Sequence, residues 1–237
     1  MYYSISTIRL FEECKGAYKF KQTVSRENQT DNVFAQMGKF AHNIIEQYQK
    51  GEIFDPFKVY IRDFPQEVYL PFPGYMEQQK DKFFIQGLEY FKEFYGYDNT
   101  EAVEKELRGK IDGVEFKGFA DIIYRDRNGD LVMEDHKFKD KLTATEKRDI
   151  LRQLYLYAEL YEQEANERPQ KLKINLIRAS KVVQHTFNEK EREKAFKTIF
   201  RTIQAIEQEE DFPIKEKPDF FCEAICNFRE VCKLGGQ

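Results

Sequence analysis

The stretch Gly118-Phe-Ala-Asp121-Ile-Ile-Tyr-Arg-Asp-Arg-Asn-Gly-Asp-Leu-Val-Met-Glu-Asp135-His-Lys137 decides how the rest of the chain is interpreted. Residues 114–124 and 130–138 have the composition of strands, and the Asn-Gly pair between them is typical of a hairpin turn. Two acids on neighbouring strands, Asp121 and Asp135, can hold a divalent cation. Lys137 shares a strand face with Asp135, because strand side chains alternate.

The length of the hairpin loop decides whether the two acids meet. A two-residue loop at 128–129 would place Asp121 opposite His136, on the wrong face for Asp135. A three-residue loop at 127–129, with its glycine in the left-handed conformation, pairs Asp121 with Asp135 directly. A cation site therefore predicts the three-residue loop, or a bulge with the same effect.

Helix and strand signals alternate along the 237 residues, without an internal repeat or a low-complexity linker. The spacing of apolar residues predicts helices at 4–20, 34–50, 75–95, 144–164 and 189–209. Strands are predicted at 102–107, 114–124, 130–138, 172–178 and 182–187. Four prolines between 56 and 73 predict little regular structure in that stretch. Helices that flank a central mixed sheet make this an α/β domain.

Composition indicates a folded protein outside the membrane. The 22 Phe and 14 Tyr argue against disorder, because so many aromatic rings need a dry interior. No run approaches the ~18 consecutive apolar residues of a membrane span, and the first residues lack the features of a secretory signal. We therefore expect a cytoplasmic protein. A net charge of −4 neither indicates nor excludes a nucleic-acid partner.

Two further side chains are candidates to join the acids. His42, on the second predicted helix, carries an imidazole suited to Mn²⁺ or similar ions, although a half-buried helix histidine often only packs. Glu106 is a possible extra acid on the strand before the hairpin, and Glu104 competes with it.

The helix after Lys137 offers Gln153 and Tyr157, one turn apart and facing the same way. Both could reach a lysine or a phosphate, or they could pack on the sheet. From Lys137 to Arg152 there are six basic and three acidic residues, a local charge of +3. Such a strip can contact nucleic acid or be a solvated loop and helix start. The candidate DNA contacts are Lys139, Lys141, Lys147, Arg148 and Arg152.

All four cysteines fall into one pattern, a distant residue plus C-x3-C-x5-C: Cys14, Cys222, Cys226 and Cys232. Four thiolates are what a [4Fe–4S] cluster or a structural zinc needs, and the spacing does not choose between them. Alternatively, Cys14 is a core residue and the others are incidental. A shared metal would make residues 1–33 and 211–237 a staple around a core of 34–210, within a single domain of 1–237.

The acids, Lys137 and two further motifs occur in the order of a known family. Gly38-x-x-x-His42, Asp121, Asp135-x-Lys137 and Gln153-x-x-x-Tyr157 resemble the PD-(D/E)XK nuclease superfamily. They are most similar to its RecB-like branch, which includes the AddB nuclease domain and the CRISPR-associated Cas-four-type nucleases. The resemblance implies a restriction-endonuclease-like core.

The resemblance also implies roles for the residues. Mg²⁺ or Mn²⁺ would be held by His42, Asp121, Asp135 and the backbone carbonyl of His136. The catalytic residues would be Asp121, Asp135, Lys137, Gln153 and Tyr157. It favours iron–sulfur for the cysteines, because some RecB-like nucleases join one N-terminal cysteine to three C-terminal ones in this way. Their first two tail cysteines are separated by two residues rather than three, which leaves zinc open.

The implied function is that of a metal-dependent deoxyribonuclease, an exonuclease, in DNA recombination, repair, replication or CRISPR adaptation of a bacterium or phage. Its DNA would be single-stranded or a resected duplex end, with a recombination, helicase or CRISPR adaptation protein as partner. The sequence contains no P-loop, so it has no built-in motor. The competing class is a non-catalytic, metal-stapled DNA-binding or assembly subunit with the same fold.

Overall fold

A five-stranded mixed sheet forms the centre of the computed structural model, which describes residues 2–232. The strands follow each other in chain order, and only β3 and β4 are parallel. The strands are β1 (Thr100–Ile111), β2 (Val114–Arg125), β3 (Leu131–Lys137), β4 (Lys171–Leu176) and β5 (Lys181–Thr186). The predicted α/β fold is confirmed. Residues 1 and 233–237, the ends of the predicted staple segments, lie outside the described residues.

The helices lie before, between and after these strands. They are α1 (Ile5–Glu13), α2 (Lys15–Thr23), α3 (Val33–Gln49), α4 (Pro56–Glu67), α5 (Lys80–Lys92), α6 (Ala144–Ala165) and α7 (Glu189–Gln208). α6 connects the parallel strands β3 and β4, as a parallel pair requires. No helix within residues 2–232 is long and apolar enough to cross a membrane.

Alternate residues of the sheet enter different cores, because neighbouring strand side chains point to opposite faces. Leu131 and Met133 belong to the main core, which joins the sheet to α1, α6 and α7. Val132, between them, contacts a small cluster that includes Tyr124. A second large core joins α3, α4 and α5 to Ile177, directly after β4. The sheet therefore separates two groups of helices.

The β2–β3 hairpin has the three-residue loop that a cation site predicts. Ile122 pairs with Glu134 and Arg125 with Leu131, and Gly129 in the loop is left-handed with φ 82°. One further step of this register places Asp121 opposite Asp135. In the described chain the β2–β3 pairing ends here, while β3 continues along β4 and residues 114–120 of β2 pair with β1 and, at Phe116, with Tyr3. The two strands thus diverge into a fork at the two acids.

Two helix predictions were wrong in detail. The segment predicted as one helix at 4–20 is two helices, because Cys14 is extended (φ −159°, ψ 114°) and both ends α1 and caps α2. The helix predicted at 75–95 begins as a 3₁₀ turn, Gly74–Gln79, and ends at Lys92.

The prediction of little regular structure after residue 56 was also wrong, because α4 occupies Pro56–Glu67. Pro56 lies in the first turn, where its missing N–H costs no helical hydrogen bond. Asp55 caps the helix by accepting a hydrogen bond from the backbone N–H of Lys58. Pro56 and Pro65 therefore lie in the first and last turns of a helix, whereas Pro71 and Pro73 follow it in a stretch, 68–73, that has no helix or strand, as predicted.

Gly118 on β2 lies so close to α6 that a Cβ atom there would be 2.2 Å from Cε1 of Tyr157. We expect Gly118→Ala to lower the free energy of unfolding by about 1–3 kcal/mol, because overpacking forces the ring or the strand to move. Urea unfolding measures the change. Gly38→Ala on α3 is the matched control, since a Cβ there meets nothing within 4 Å and alanine favours a helix by about 0.5–1 kcal/mol. A Gly118→Ala protein of wild-type stability would contradict this contact.

Candidate active site

The fork between β2 and β3 brings Asp121 and Asp135 together. Asp121 accepts a hydrogen bond from the backbone N–H of His136 through Oδ2, at 2.6 Å. Asp135 is 2 % exposed. Because two like charges in a low-dielectric setting repel strongly, such a pair needs cations around it.

Asp135 is held by two different neighbours. Its Oδ1 accepts a hydrogen bond from Nε2 of Gln153 on α6, at 2.8 Å. Its Oδ2 lies 2.6 Å from Nζ of Lys137, but no hydrogen bond of good geometry reaches this buried oxygen within residues 2–232. Burial raises the pKa of Asp135, and the charge of Lys137 opposes that rise. Within the described residues this oxygen is therefore paired with the ammonium group of Lys137 alone, and it keeps lone pairs that a metal cation could use.

Lys137 remains a cation in this setting. Burial lowers the pKa of its ammonium group, but the carboxylates of Asp135 and Asp121 outweigh burial and the net shift is upward. Its side chain is 25 % exposed, so it is open to a ligand. Lys137 is therefore suited to donate hydrogen bonds and positive charge, not to act as a base.

His42 enters the fork from α3. Its Nε2 lies 2.8 Å from the carbonyl oxygen of His136 and donates to it, because a carbonyl only accepts. Its Nδ1 lies 3.6 Å from Oδ2 of Asp121 and 3.8 Å from Oε1 of Glu104. Ligand atoms of these three side chains lie within 4.8 Å of one another. Burial lowers the pKa of His42, but Asp121 and Glu104 outweigh it and raise the pKa. A proton on Nδ1 faces the two carboxylates, where a divalent cation would compete with it.

Glu104, and not Glu106, joins this cluster. Glu104 has a left-handed backbone with φ 48°, a conformation that is rare for a residue with a side chain. On β1 the side chains that face the main core change from even-numbered to odd-numbered residues at this point. Leu107 lies in the main core, and Ala102 packs against the same core. Glu106 instead forms ion pairs with Arg108 and Lys117.

A sequence signal that selects Glu104 over Glu106 lies in a second hairpin. Asp112-Gly113 is a strong two-residue hairpin signal, and such a loop pairs Ile111 with Val114, as observed. Counting back along both strands then places Glu104 opposite Asp121, because Val103 pairs with Ile122 and Lys105 with Ala120.

His136 contributes backbone to the fork while its ring lies elsewhere. The ring is 2 % exposed, and Nδ1 lies 3.3 Å from Nδ2 of Asn175. Burial lowers its pKa well below the usual value, and the charges of His42 and Lys137 lower it further. His136 is therefore neutral, and only its carbonyl oxygen and N–H face the acids.

The two predicted residues of α6, Gln153 and Tyr157, contact different parts of the site. Gln153 reaches Asp135 rather than Lys137. Tyr157 is 7 % exposed and packs against Gly118. α6 begins with a capping box between Thr143 and Glu146, which fixes where its turns meet the sheet.

The predicted basic strip does not form one continuous surface. Lys139 is ion-paired with Glu146. Arg152 is buried and donates to both carboxylate oxygens of Glu12 on α1, at 2.7 and 2.5 Å. Lys147 and Arg148 line a cavity of about 470 Å³ between α6 and α7. Lys141 is exposed.

The four cysteines line a single pocket together with Ala17, Phe20, Ile214 and Phe221. Sγ of Cys14 accepts a hydrogen bond from the N–H of Ala17, and Sγ of Cys226 accepts one from the N–H of Phe228, both at 3.4 Å. Burial raises the pKa of Cys226 to about 11, and the other three cysteines add to the rise. The fold thus brings together residues that are far apart in sequence.

The spacing of the four sulfurs bears on which group they fit. In residues 2–232, no three cysteine sulfurs lie within 4.8 Å of one another. Four thiolates at about 2.3 Å from one tetrahedral zinc would lie about 3.8 Å apart. In an iron–sulfur cluster each thiolate binds a different iron, so the sulfurs stand farther apart. The four sulfurs are therefore more widely spaced here than those around a single zinc ion.

The family of the chain follows from a comparison with known proteins. A family model, described as the PD-(D/E)XK nuclease superfamily, matches residues 2–233. The chain belongs to this superfamily. Membership supports a nuclease, which hydrolyses phosphodiester bonds.

A solved structure agrees with this fold. A crystal structure named "Putative exonuclease" from Eubacterium rectale is 13 % identical, covers 92 % of this chain and 86 % of its own, and has a TM-score of 0.53. A second structure, SSO0001, is 16 % identical with coverage of 98 % and 97 %, but its TM-score is 0.35 and the fold assignment does not rest on it. No curated protein matches the sequence significantly.

The cluster of His42, Glu104 and Asp121 contains only one of two glutamates that lie two residues apart on β1. This difference between the two glutamates can be tested. We expect Glu104→Gln to weaken Mn²⁺ binding by about 10–100-fold or more. Loss of a residue that only orients a metal ligand already has an effect of that size. The measurement is an electron paramagnetic resonance titration of free Mn²⁺. Glu106→Gln is the matched control and should bind Mn²⁺ like wild type, because Glu106 is engaged by Arg108 and Lys117. Equal losses in both variants would contradict this assignment.

Proposed function

We propose that this PD-(D/E)XK protein is a metal-dependent deoxyribonuclease that degrades DNA from strand ends. The observation that carries the proposal is the fork, where Asp121, Asp135 and a protonated Lys137 converge between two diverging strands. The name of the E. rectale structure adds support for an exonuclease. Single strands or resected duplex ends are the proposed substrates, in recombination, repair, replication or CRISPR adaptation.

The donor set of the fork fits a hard divalent cation. Carboxylate and carbonyl oxygens with one imidazole suit Mg²⁺ or Mn²⁺, and Oδ2 of Asp135 is a buried oxygen without a hydrogen bond. We propose that Asp121, Glu104, Asp135, His42 and the carbonyl of His136 hold one or two such ions. When bound, the cation supplies positive charge to the scissile phosphate and makes a water molecule more acidic.

The protein's own groups position the substrate around this centre. Lys137 would donate from Nζ to a phosphate oxygen or to the attacking water, because it is protonated and partly exposed. Gln153 holds Oδ1 of Asp135, so that Oδ2 keeps its direction. Tyr157 packs against Gly118 and so helps to position β2.

Cleavage assays test the nuclease proposal. We expect Asp135→Asn and Lys137→Met to lower cleavage of end-labelled single- and double-stranded DNA in Mg²⁺ or Mn²⁺ by about 10²-fold or more, because each removes charge that acts on the transition state. Lys197→Met is the matched control and should cleave like wild type, because Lys197 is exposed on α7 and lies outside the fork. Circular dichroism must accompany the assay, since removing one partner of a buried ion pair costs about 3–5 kcal/mol.

Two results would overturn the proposal. One is full cleavage by both folded variants. The other is cleavage by wild type that persists in excess EDTA. A wild-type protein that binds DNA in Mg²⁺ and Mn²⁺ but cleaves none would instead favour the non-catalytic DNA-binding subunit.

We also propose that the cysteines hold a [4Fe–4S] cluster, which joins segments 1–33 and 211–237 into a staple around residues 34–210 of a single domain. The wide spacing of the sulfurs supports this choice over zinc, and the two N–H···S hydrogen bonds would stabilise thiolate ligands of either group. Asn32 reinforces the same junction, because its Nδ2 donates to the carbonyl of Ile225 at 3.0 Å. The cluster would be structural.

Metal analysis tests the staple. Protein purified without oxygen should contain about four iron and four sulfide per chain and absorb visible light. We expect Cys226→Ser to lose the iron and to unfold at lower temperature than wild type. Colourless, iron-free protein with one zinc per chain would show that zinc is the staple. Iron content unchanged in Cys226→Ser would show that this cysteine is not a ligand.

A further inference from the structure

Arg9 is a partly exposed arginine of α1 with no ion pair and no hydrogen bond within residues 2–232. A guanidinium group has five N–H donors, and a half-buried one normally finds an acceptor. A carboxylate is close to Arg9, because Glu12 lies one helical turn further along α1.

Glu12 forms no hydrogen bond with Arg9, because both carboxylate oxygens of Glu12 already accept hydrogen bonds from other residues. Arg152 donates to both of them, and Thr202 donates to Oε1 at 2.7 Å. The structural ion pair between α1 and α6 is thus complete without Arg9. The donors of Arg9 remain available to a ligand.

The position of Arg9 relates it to the fork. Glu12 binds Arg152 on α6, and the next residue of α6, Gln153, binds Asp135. Arg9 and Glu12 share a side of α1, so Arg9 lies about one turn from the Glu12–Arg152 contact beside Gln153.

The start of α1 also lies at the fork. Tyr3, two residues before α1, forms a β-bridge with Phe116 on the part of β2 that no longer pairs with β3. α1 therefore leaves the sheet beside the opening between β2 and β3.

We propose that Arg9 binds a phosphate of the DNA strand beside the scissile phosphate, and that α1 is therefore part of the substrate-binding surface. This inference rests on the proposed nuclease function. Arginine suits the task, because its planar fork matches two phosphate oxygens at once. Lys137 then acts on the scissile phosphate and Arg9 on a neighbouring one, which sets how the strand lies across the fork. Arg9 is a positioning residue, since it binds a phosphate that does not react.

Binding of a fluorescein-labelled single-stranded oligonucleotide, measured by anisotropy in EDTA over a series of KCl concentrations, tests the inference without cleavage. We expect Arg9→Gln to weaken binding about tenfold, as for loss of a hydrogen-bonded charge. The slope of log K against log[KCl] should become shallower by about 0.7, the value for one phosphate contact on a single strand. Arg9→Lys should keep the slope and lose part of the affinity, because it keeps the charge but not the fork.

Arg201→Gln is the matched control. Arg201 is an exposed arginine of α7 without an ion pair in the described part of the chain, and its loss should change neither affinity nor slope. In cleavage assays Arg9→Gln should raise KM more than it lowers kcat, because the bound phosphate is not the reacting one. A merely structural role would not change the salt slope selectively.

The outcomes separate this inference from the nuclease proposal. If Arg9→Gln binds with wild-type affinity and slope while Asp135→Asn abolishes cleavage, Arg9 does not bind phosphate and the nuclease proposal stands. If wild type cleaves no DNA, but Arg9→Gln alone loses affinity and slope, the nuclease proposal falls and the phosphate contact stands. Equal losses in Arg9→Gln and Arg201→Gln would overturn the inference, because they would reflect net charge alone.

Discussion

The register of the β2–β3 hairpin is the constraint on which the site depends. It sets Asp121 and Asp135 side by side, where two carboxylates repel each other. The surrounding chain offsets this cost with Lys137, with the hydrogen bond from Gln153 to Asp135, and with the N–H of His136 on Asp121. A shift of one residue would turn one acid to the other face and leave these groups without a partner.

The groups of the site come from four separate parts of the chain, so the site exists only in the folded protein. α3 supplies His42, β1 supplies Glu104, the hairpin supplies the central acids and the lysine, and α6 supplies Gln153. The left-handed backbone of Glu104 is costly for a residue with a side chain. It is maintained because the flanking residues of β1 keep their pairing with β2 on both sides.

Strong local signals made the hairpin and the longer helices predictable. The Asn-Gly loop, the glycine in the left-handed position and the capping box of α6 each determine structure within a few residues. The break at Cys14 was not predictable in this way, because the apolar spacing continues across it from Phe11 to Tyr18. The choice between Glu104 and Glu106 required the register of a second hairpin and a reversal of side-chain direction that alternation alone does not give.

Helix α1 connects the two proposed metal centres physically. It ends at Glu13, directly before Cys14 of the cysteine pocket, and Glu12 beside this end holds Arg152 next to Gln153. A cluster at the cysteines would fix the end of α1 against the tail, and the Glu12–Arg152 pair would fix its last turn against α6. The staple then does more than close the chain, because the same helix that it anchors carries Arg9 and supports the residue that orients Asp135. Loss of the cluster would accordingly disturb substrate binding before it unfolded the sheet, since the sheet has its own core.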